Sequence, residues 1–334
     1  MPKYALTDWV FRYVNNGLRS EEKSTGTSFL ACFSLIRYFL ATLICIGQLI
    51  AISQPRISFT FDDGVTTDRP GYTFEVWNEM ILDHLDQANV KAIFFVTGSN
   101  KTDQKGQYLL ESWNNRGHGI GNHSYSHPNF NKEEIGVAIF MKELLGTDTI
   151  ISAYSNYCKF FRFPYLKEGD SWEEVIGIRH HLKEQGYKNG HVTIDASDWY
   201  VDSRLRKRLR ENPKAAMEGF RKFYVEHLFD RAMYYENLSY QLTGRHINHT
   251  LLLHHNLTAA LFLGDLICEF QDQGWLVISA KDAYQDPIFE TTPNHSGESL
   301  IWSMAKDTGK FDDILRYPAE DSRYEKNKMD ALGL

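Results

Sequence analysis

The sequence predicts an α/β protein made of repeated strand–helix units, and three observations carry that expectation. From Arg56 onward, short apolar runs alternate with longer amphipathic ones, the pattern of βα repeats. The apolar runs number about seven, enough for one large sheet. Carboxylates and histidines stand at the ends of several of these runs, where α/β folds commonly carry their reactive groups.

Taken in order, Ile57-Ser58-Phe59-Thr60-Phe61 reads as a buried strand that delivers Asp62 and Asp63 to its end. Lys91–Val96 is the second strand, and Gln107–Asn115 is helical until Gly117 stops it. Gly119–Asn122 is a short strand delivering His123, and Phe160–Phe163 follows. A helix from Ser171 to Gln185 ends at Gly186 and leads into a strand over Gly190–Asp195. Residues 203–243, rich in Arg, Lys, Phe and Tyr and without a strand signal, read as two inserted helices. His249–His254 and Trp275–Ser279, with a helix between them, complete the series. Beyond Asp286, Trp302, Phe311, Ile314 and Leu315 suggest a packed C-terminal appendage running to Leu334.

A chain of 334 residues has length for one large α/β domain or two smaller ones. A net charge of −7, with no concentrated basic face, argues against nucleic acid as a partner. The 14% aromatic content suits a neutral, ring-shaped carbohydrate better. The cluster Arg204, Arg206, Lys207, Arg208 and Arg210 reads as a solvated helix face, with contact to an acidic glycan as the alternative.

At the N-terminus, the uncharged run Tyr38–Ser53 ends in small residues and resembles a secretory signal cleaved after Ser53. An uncleaved anchor beginning near Ser28 is the alternative, although Arg37 within it is costly in lipid. The expected organisation is therefore an extension with signal or anchor over 1–53, a domain over 54–285 containing the insertion 203–243, and the appendage 286–334. A membrane is a partner only if the first segment is retained. Its removal takes five basic and three acidic residues and shifts the net charge from −7 to −9. Cys158 and Cys268 would remain, and they read as two small buried hydrophobes, not as a disulfide framework.

The most informative constellation is Asp62-Asp63-Gly64 with His123 and His127 some sixty residues later. One carboxylate and two imidazoles are a usual ligand set for catalytic zinc, with a position left open for water or substrate. The second carboxylate is then free to act as a base. An Asp pair is more often a turn former, and two histidines four apart more often share a packed helix face. Delivery of both groups to strand ends favours the metal reading. Which Asp is the ligand stays open on the residues alone.

Thr60-Phe61-Asp62-Asp63-Gly64 and His123-Ser124-Tyr125-Ser126-His127-Pro128 resemble the first two motifs of the polysaccharide deacetylases, the NodB-homology or carbohydrate esterase family 4 enzymes. Arg162-Phe163-Pro164-Tyr165, Asp195-Ala196-Ser197-Asp198-Trp199 and Leu251-Leu252-Leu253-His254 resemble the remaining three, in order. The resemblance implies a distorted, incomplete (β/α) barrel with Asp63, His123 and His127 as ligands of one divalent ion, zinc before others. It further implies Asp62 as general base and His254 as general acid. Ser124 stabilises the loop, and Arg162 stands between Asp62 and a fourth-motif carboxylate, taken as Asp198. The Tyr165 backbone N–H stabilises the oxyanion, and Trp199 walls the acetyl pocket.

His255, next along the strand, points away from the site. His118, His180, His181, His246 and His249 match no motif role and read as structural or exposed. Phe163 replaces a frequent proline and Leu166 a frequent glycine, which bears on the floor of the cleft. The implied reaction is hydrolysis of N-acetyl or O-acetyl groups on an extracytoplasmic polysaccharide, such as peptidoglycan or a chitin-like glycan. A hydrolase of non-sugar amides on the same fold, and an inactive glycan-binding protein, are the alternatives.

Overall fold

In the computed structural model, residues 54–334 are described. The segment 1–53, with its expected signal or anchor, lies outside the described residues. Among the described residues no helix is long and apolar enough to cross a membrane.

Seven parallel strands form the sheet: β1 (Arg56–Asp63), β2 (Ile93–Val96), β3 (Gly119–Asn122), β4 (Tyr157–Phe161), β5 (Lys188–Asn189), β6 (Asn248–His254) and β7 (Leu276–Val277). Their order is β5-β4-β3-β2-β1-β6, with β7 joined to the start of β1 at Arg56 and Ile57. The expected strand over Gly190–Asp195 is not formed. After Asn189 the chain leaves β4 and meets β6 through one bridge, Ile194 to Leu251, with Leu252 N–H donating to the Ile194 carbonyl at 3.1 Å. That single-residue closure between the two ends of the sheet is why the (β/α) barrel is distorted and incomplete. Trp275–Ser279 likewise shortens to two paired residues.

Side-chain alternation along β1 sorts the interior from the helix layer. Ile57, Phe59 and Phe61 join the main apolar core, which helices α1 (Phe74–Gln87) and α2 (Gln104–Asn115) help to build. Ser58 and Thr60 donate to the carbonyls of His249 and Leu251 on β6, at 2.9 and 3.1 Å. Asp62 continues this second face. The barrel interior is therefore partly polar, and the carboxylate at the strand's end emerges from it. A second core, built by Phe130, Phe140, Phe161 and Phe163, lies between α3 (Val137–Ile151) and α4 (Trp172–Glu184). Helix α4 starts at a capping box, with Ser171 and Glu174 answering each other's backbone N–H groups, and gives way to Gly186 at φ 72°.

The inserted pair is α5 (Asp198–Glu211) and α6 (Glu218–Thr243), so the first helix begins earlier than expected, at the fourth motif itself. Helix α7 (Leu257–Asp272) packs against both α1 and α6. The C-terminal segment adds the short α8 (Ala280–Ala283), α9 (Leu300–Thr308) and α10 (Arg323–Ala331). Leu300, Ile301 and Met329 enter the main core, and Trp302, Phe311 and Leu315 pack against it, whereas Ile314 is exposed. The basic cluster on α5 is neither simply solvated nor turned to a ligand. Arg204 pairs with Asp330 and the Leu334 carbonyl, Arg208 donates to the Gly333 carbonyl, and Arg206 pairs with Asp202, so three of its five cations are engaged within the fold. Cys158 is half-buried and Cys268 is exposed, both unpaired, which corrects the reading of two buried thiols.

Phe140 stacks on Phe130 at 4.3 Å and on Phe163 at 5.6 Å, and so supports the turn that carries Tyr165. Phe140→Ala should cost about 3–5 kcal/mol of stability in urea unfolding. A loss below about 1 kcal/mol, the size of a surface change, would mean that this second core carries little of the fold.

Candidate active site

The C-terminal ends of β1, β3, β4 and β6 bring Asp62, Asp63, His123, Arg162 and His254 to one edge of the barrel. All of these except Arg162, which lies behind, line with neighbouring loops a cleft of about 710 Å³. Asp63 turns out of the strand at φ 83° and is followed by Gly64 at φ 87°. His127 reaches the same point by a left-handed backbone at φ 61°, and its N–H donates to Ser124 Oγ at 3.1 Å.

Asp63 Oδ1 lies 3.8 Å from His123 Nε2 and 3.5 Å from His127 Nε2. Ligands about 2.0–2.1 Å from a tetrahedral ion sit roughly 3.3 Å from one another, so the three atoms fit one small cation with modest contraction. Their chemistry fits as well. His123 Nδ1 donates to the Arg162 carbonyl at 2.8 Å, which leaves Nε2 with its lone pair toward Asp63. Burial and the neighbouring His127 hold the His123 imidazole well below its ordinary pKa, against the pull of Asp63. Burial also lowers His127, against Asp63 and Asp62. Both rings are therefore neutral donors.

Arg162, almost fully buried, finds a partner for each of its three side-chain nitrogens. Nη1 donates to Asp62 Oδ1 at 2.9 Å, Nη2 to Thr60 Oγ1 at 3.1 Å and to Tyr284 OH at 3.0 Å, and Nε to the Gly190 carbonyl. Its guanidinium lies 4.1 Å from the Phe95 ring centre. Burial raises the Asp62 carboxyl to about 6 in spite of Arg162. The expectation that Arg162 also meets Asp198 is wrong. Asp198 is the first residue of α5, and its carboxylate belongs to His254 instead. His254 Nδ1 donates to Oδ1 at 2.6 Å, while the His254 backbone N–H and Asn256 Nδ2 both donate to Oδ2 at 2.9 Å. Burial alone would lower His254, but Asp198, with Asp63 and Asp62, raises it to about 10. His255 points the other way, into the ring cluster of Trp77, Phe94 and Trp113, with Nε2 at 3.0 Å from Asn78 Oδ1.

Tyr165 is half-exposed at φ 55°, and its ring lies 4.6 Å from that of His127. Leu166 occupies φ 60°, the region where glycine costs nothing. Phe163 has φ −70°, which a proline would share, and its ring fills the second core. The substitutions thus keep the backbone path and change what lies beneath it. Trp199 lines the cleft and donates Nε1–H to the Ala319 carbonyl at 2.9 Å.

Three cleft residues carried no recognisable sequence signal, and a fourth, Asp195, stood in the fourth motif without an assigned role. Lys101 is buried, with Nζ donating to the Ser99 carbonyl at 3.0 Å, and burial lowers it to about 8 against Asp63 and Asp103. Asp195, Ala319 and Glu320 form another wall, two of them from the C-terminal segment. Tyr284, behind the cleft, answers Arg162 and donates to the His191 carbonyl at 3.0 Å.

In metal-free protein the raised His254 pKa contributes stability that is fully present below about 6.5, the ordinary histidine value, and is lost as pH rises through about 10. Asp198→Asn should bring the His254 ring, followed by NMR titration, down toward the ordinary value. It should also flatten the loss of stability across that window. A His254 titration unchanged by the substitution would refute the pair as its cause.

Residues 51–188 match the family model described as polysaccharide deacetylase. A peptidoglycan-N-acetylglucosamine deacetylase of Bacillus cereus is 33% identical over 148 residues, 44% of this chain and 47% of that protein. The peptidoglycan-N-acetylglucosamine deacetylase PgdA of Listeria monocytogenes is 38% identical over 130 residues, 38% of this chain and 25% of that one. The chain thus spans half or less of these curated relatives. Among solved structures, the peptidoglycan deacetylase PdaC of Bacillus subtilis shares 22% identity at a TM-score of 0.46, over 78% of this chain and 96% of that one. The match to the polysaccharide deacetylase model thus covers the first three motifs, and residues similar to the last two follow it in order.

Proposed function

We propose that this protein is a metal-dependent hydrolase that removes N-acetyl groups from a polysaccharide of N-acetylglucosamine type. One observation carries the reading: the ligand atoms of Asp63, His123 and His127 converge in a cleft that also presents the anchored carboxylate of Asp62 and the charged imidazole of His254. The relatives' names, which specify peptidoglycan N-acetylglucosamine, support the substrate class.

Asp63, His123 and His127 would hold the ion, with zinc the best match to one oxygen and two nitrogen donors. When bound there, a divalent cation supplies Lewis-acid polarisation and lowers the pKa of water toward about 7. Asp62 takes the proton of the attacking water, and Arg162 keeps that carboxylate fixed and oriented while it does so. The Tyr165 N–H, on the exposed turn beside His127, donates to the oxyanion as the carbonyl becomes tetrahedral. His254, held charged by Asp198, gives its proton to the departing amine. Asp198 acts through His254 and so positions and charges the acid.

Purified protein should carry about one divalent ion per chain and release acetate from N-acetylglucosamine oligomers. His127→Ala should lower both, whereas Asp62→Asn should keep the metal and abolish turnover. Loss of metal in Asp62→Asn, with retention in Asp63→Asn, reverses the two Asp roles. Acetate from no acetylated glycan, with metal bound, sinks the reading.

The acid is tested separately. His254→Ala should reduce turnover about 10²–10⁴-fold without releasing metal, and should hurt oxygen esters less than amides. His255→Ala should act mainly on stability. The pH profile should fall below about 6 as Asp62 protonates and above about 10 as His254 loses its proton, both limbs moving to lower pH beside a cation. A profile with no acid limb would remove Asp62 from the base role.

A further inference from the structure

One wall of the cleft is supplied partly by chain far beyond the family match, and its Glu320 has no part in the machinery just described. The C-terminal segment returns across the barrel edge at Ala319 and Glu320, which line the cleft together with Asp195 and Trp199. The wall is tied at several points. Ala319 N–H donates to Asp195 Oδ2 at 3.0 Å, and the Ala319 carbonyl accepts from the Trp199 indole at 2.9 Å. Lys167 Nζ is shared between Glu298 Oε1 at 2.9 Å and Glu320 Oε2 at 3.2 Å, and it also donates to the Gly297 carbonyl.

Asp195 is 6% exposed, yet it faces the cleft, and its Oδ1 has no hydrogen-bond partner among the described residues. That oxygen opens on the cleft, where it can accept from a donor or meet a cation. Glu320, beside it, shares its one cation with Glu298. Burial raises Glu320 to about 7 against Lys167, with Glu298 adding to the rise, so a cation placed beside it would favour its charged form. Trp199 lines the cleft together with these two carboxyl groups, and an aromatic ring beside acidic groups suits a cation carried on a sugar ring.

We propose that Asp195, Glu320 and Trp199 form a subsite for the free amino group of an amino sugar, so that the cleft holds glycan chains that already contain deacetylated units. The proposal rests on the deacetylase reading, because that reaction produces such units beside acetylated ones. A wall of this sign receives the product's ammonium and repels uronate or phosphate groups on other glycans.

The test is binding, with the metal-loaded full chain in the Asp62→Asn background so that acetylated ligand survives the measurement. Titration calorimetry at near-neutral pH and low salt compares glucosamine tetramer, N-acetylglucosamine tetramer and spermidine as a non-sugar polyamine. The glucosamine tetramer should bind more tightly than the acetylated one, and Glu320→Gln should shrink that preference about fivefold, as for a partly exposed charge pair. No preference in the parent protein, or one unaltered by Glu320→Gln, overturns the proposal. Spermidine binding more tightly than the tetramer, in a Glu320-dependent way, overturns the assignment to a glycan. The ratio is read without turnover, so failure to release acetate from any substrate would remove the deacetylase reading and leave this result to stand or fall by itself.

Discussion

A guanidinium sealed inside a parallel barrel needs partners for its nitrogens, and Arg162 meets that need by drawing separate parts of the chain together. Thr60 and Asp62 come from β1, Gly190 from the segment after β5, and Tyr284 from beyond β7, while Phe95 of β2 stacks beneath. Removing one member of such a buried pair strands a charge, at a typical cost of about 3–5 kcal/mol. The backbone of the same residue orients His123 through its carbonyl. One residue thus fixes the carboxylate assigned as base and one of the imidazoles assigned to the metal, so their separation is set by the barrel and not by a loop.

The cleft also collects backbone strain. Of the seven non-glycine residues with positive φ among the described residues, Asp63, Asn100, His127, Tyr165 and Leu166 line it, and Ser124 supports His127. Such conformations cost on the order of 1–3 kcal/mol each and persist only where neighbours hold them. Here the neighbours are visible. Thr97 donates to the Asp63 carbonyl through both its N–H and its hydroxyl, Ser124 Oγ accepts from His127, and Leu166 N–H returns to the Phe163 carbonyl. The aromatic stack of Phe130, Phe140 and Phe163 carries that last turn from below. Packing energy remote from the cleft is what keeps its loops in place.

The C-terminal segment enlarges this scheme. It contributes core residues to the same unit that holds the barrel, engages the arginines of α5, and supplies Ala319 and Glu320 to the cleft. Because Trp199 is pinned by the Ala319 carbonyl, the wall nearest the fourth motif depends on chain more than a hundred residues further on.

The sequence by itself determined the strand series, the barrel class and the grouping of Asp62, Asp63, His123, His127 and His254. These follow from local information, namely apolar periodicity, strand ends and short motifs whose ligands lie close in the chain. The face of His254 against His255 was also legible, since side chains alternate along a strand. Asp62 as one partner of Arg162 was legible too, but its further partner was not. Asp198 and Tyr284 both lie far from it in sequence, and only the folded barrel decides that Tyr284 meets the guanidinium while Asp198, starting a helix, meets His254. The missing strand at 190–195 has the same origin: its apolar alternation is real, but those residues span the gap between β4 and β6, and only the Ile194 bridge forms there. Lys101 and Glu320 stand in stretches that look like ordinary polar sequence. What makes them cleft residues is burial and long-range proximity, which depend on how the whole chain packs and leave no periodicity in the sequence to read.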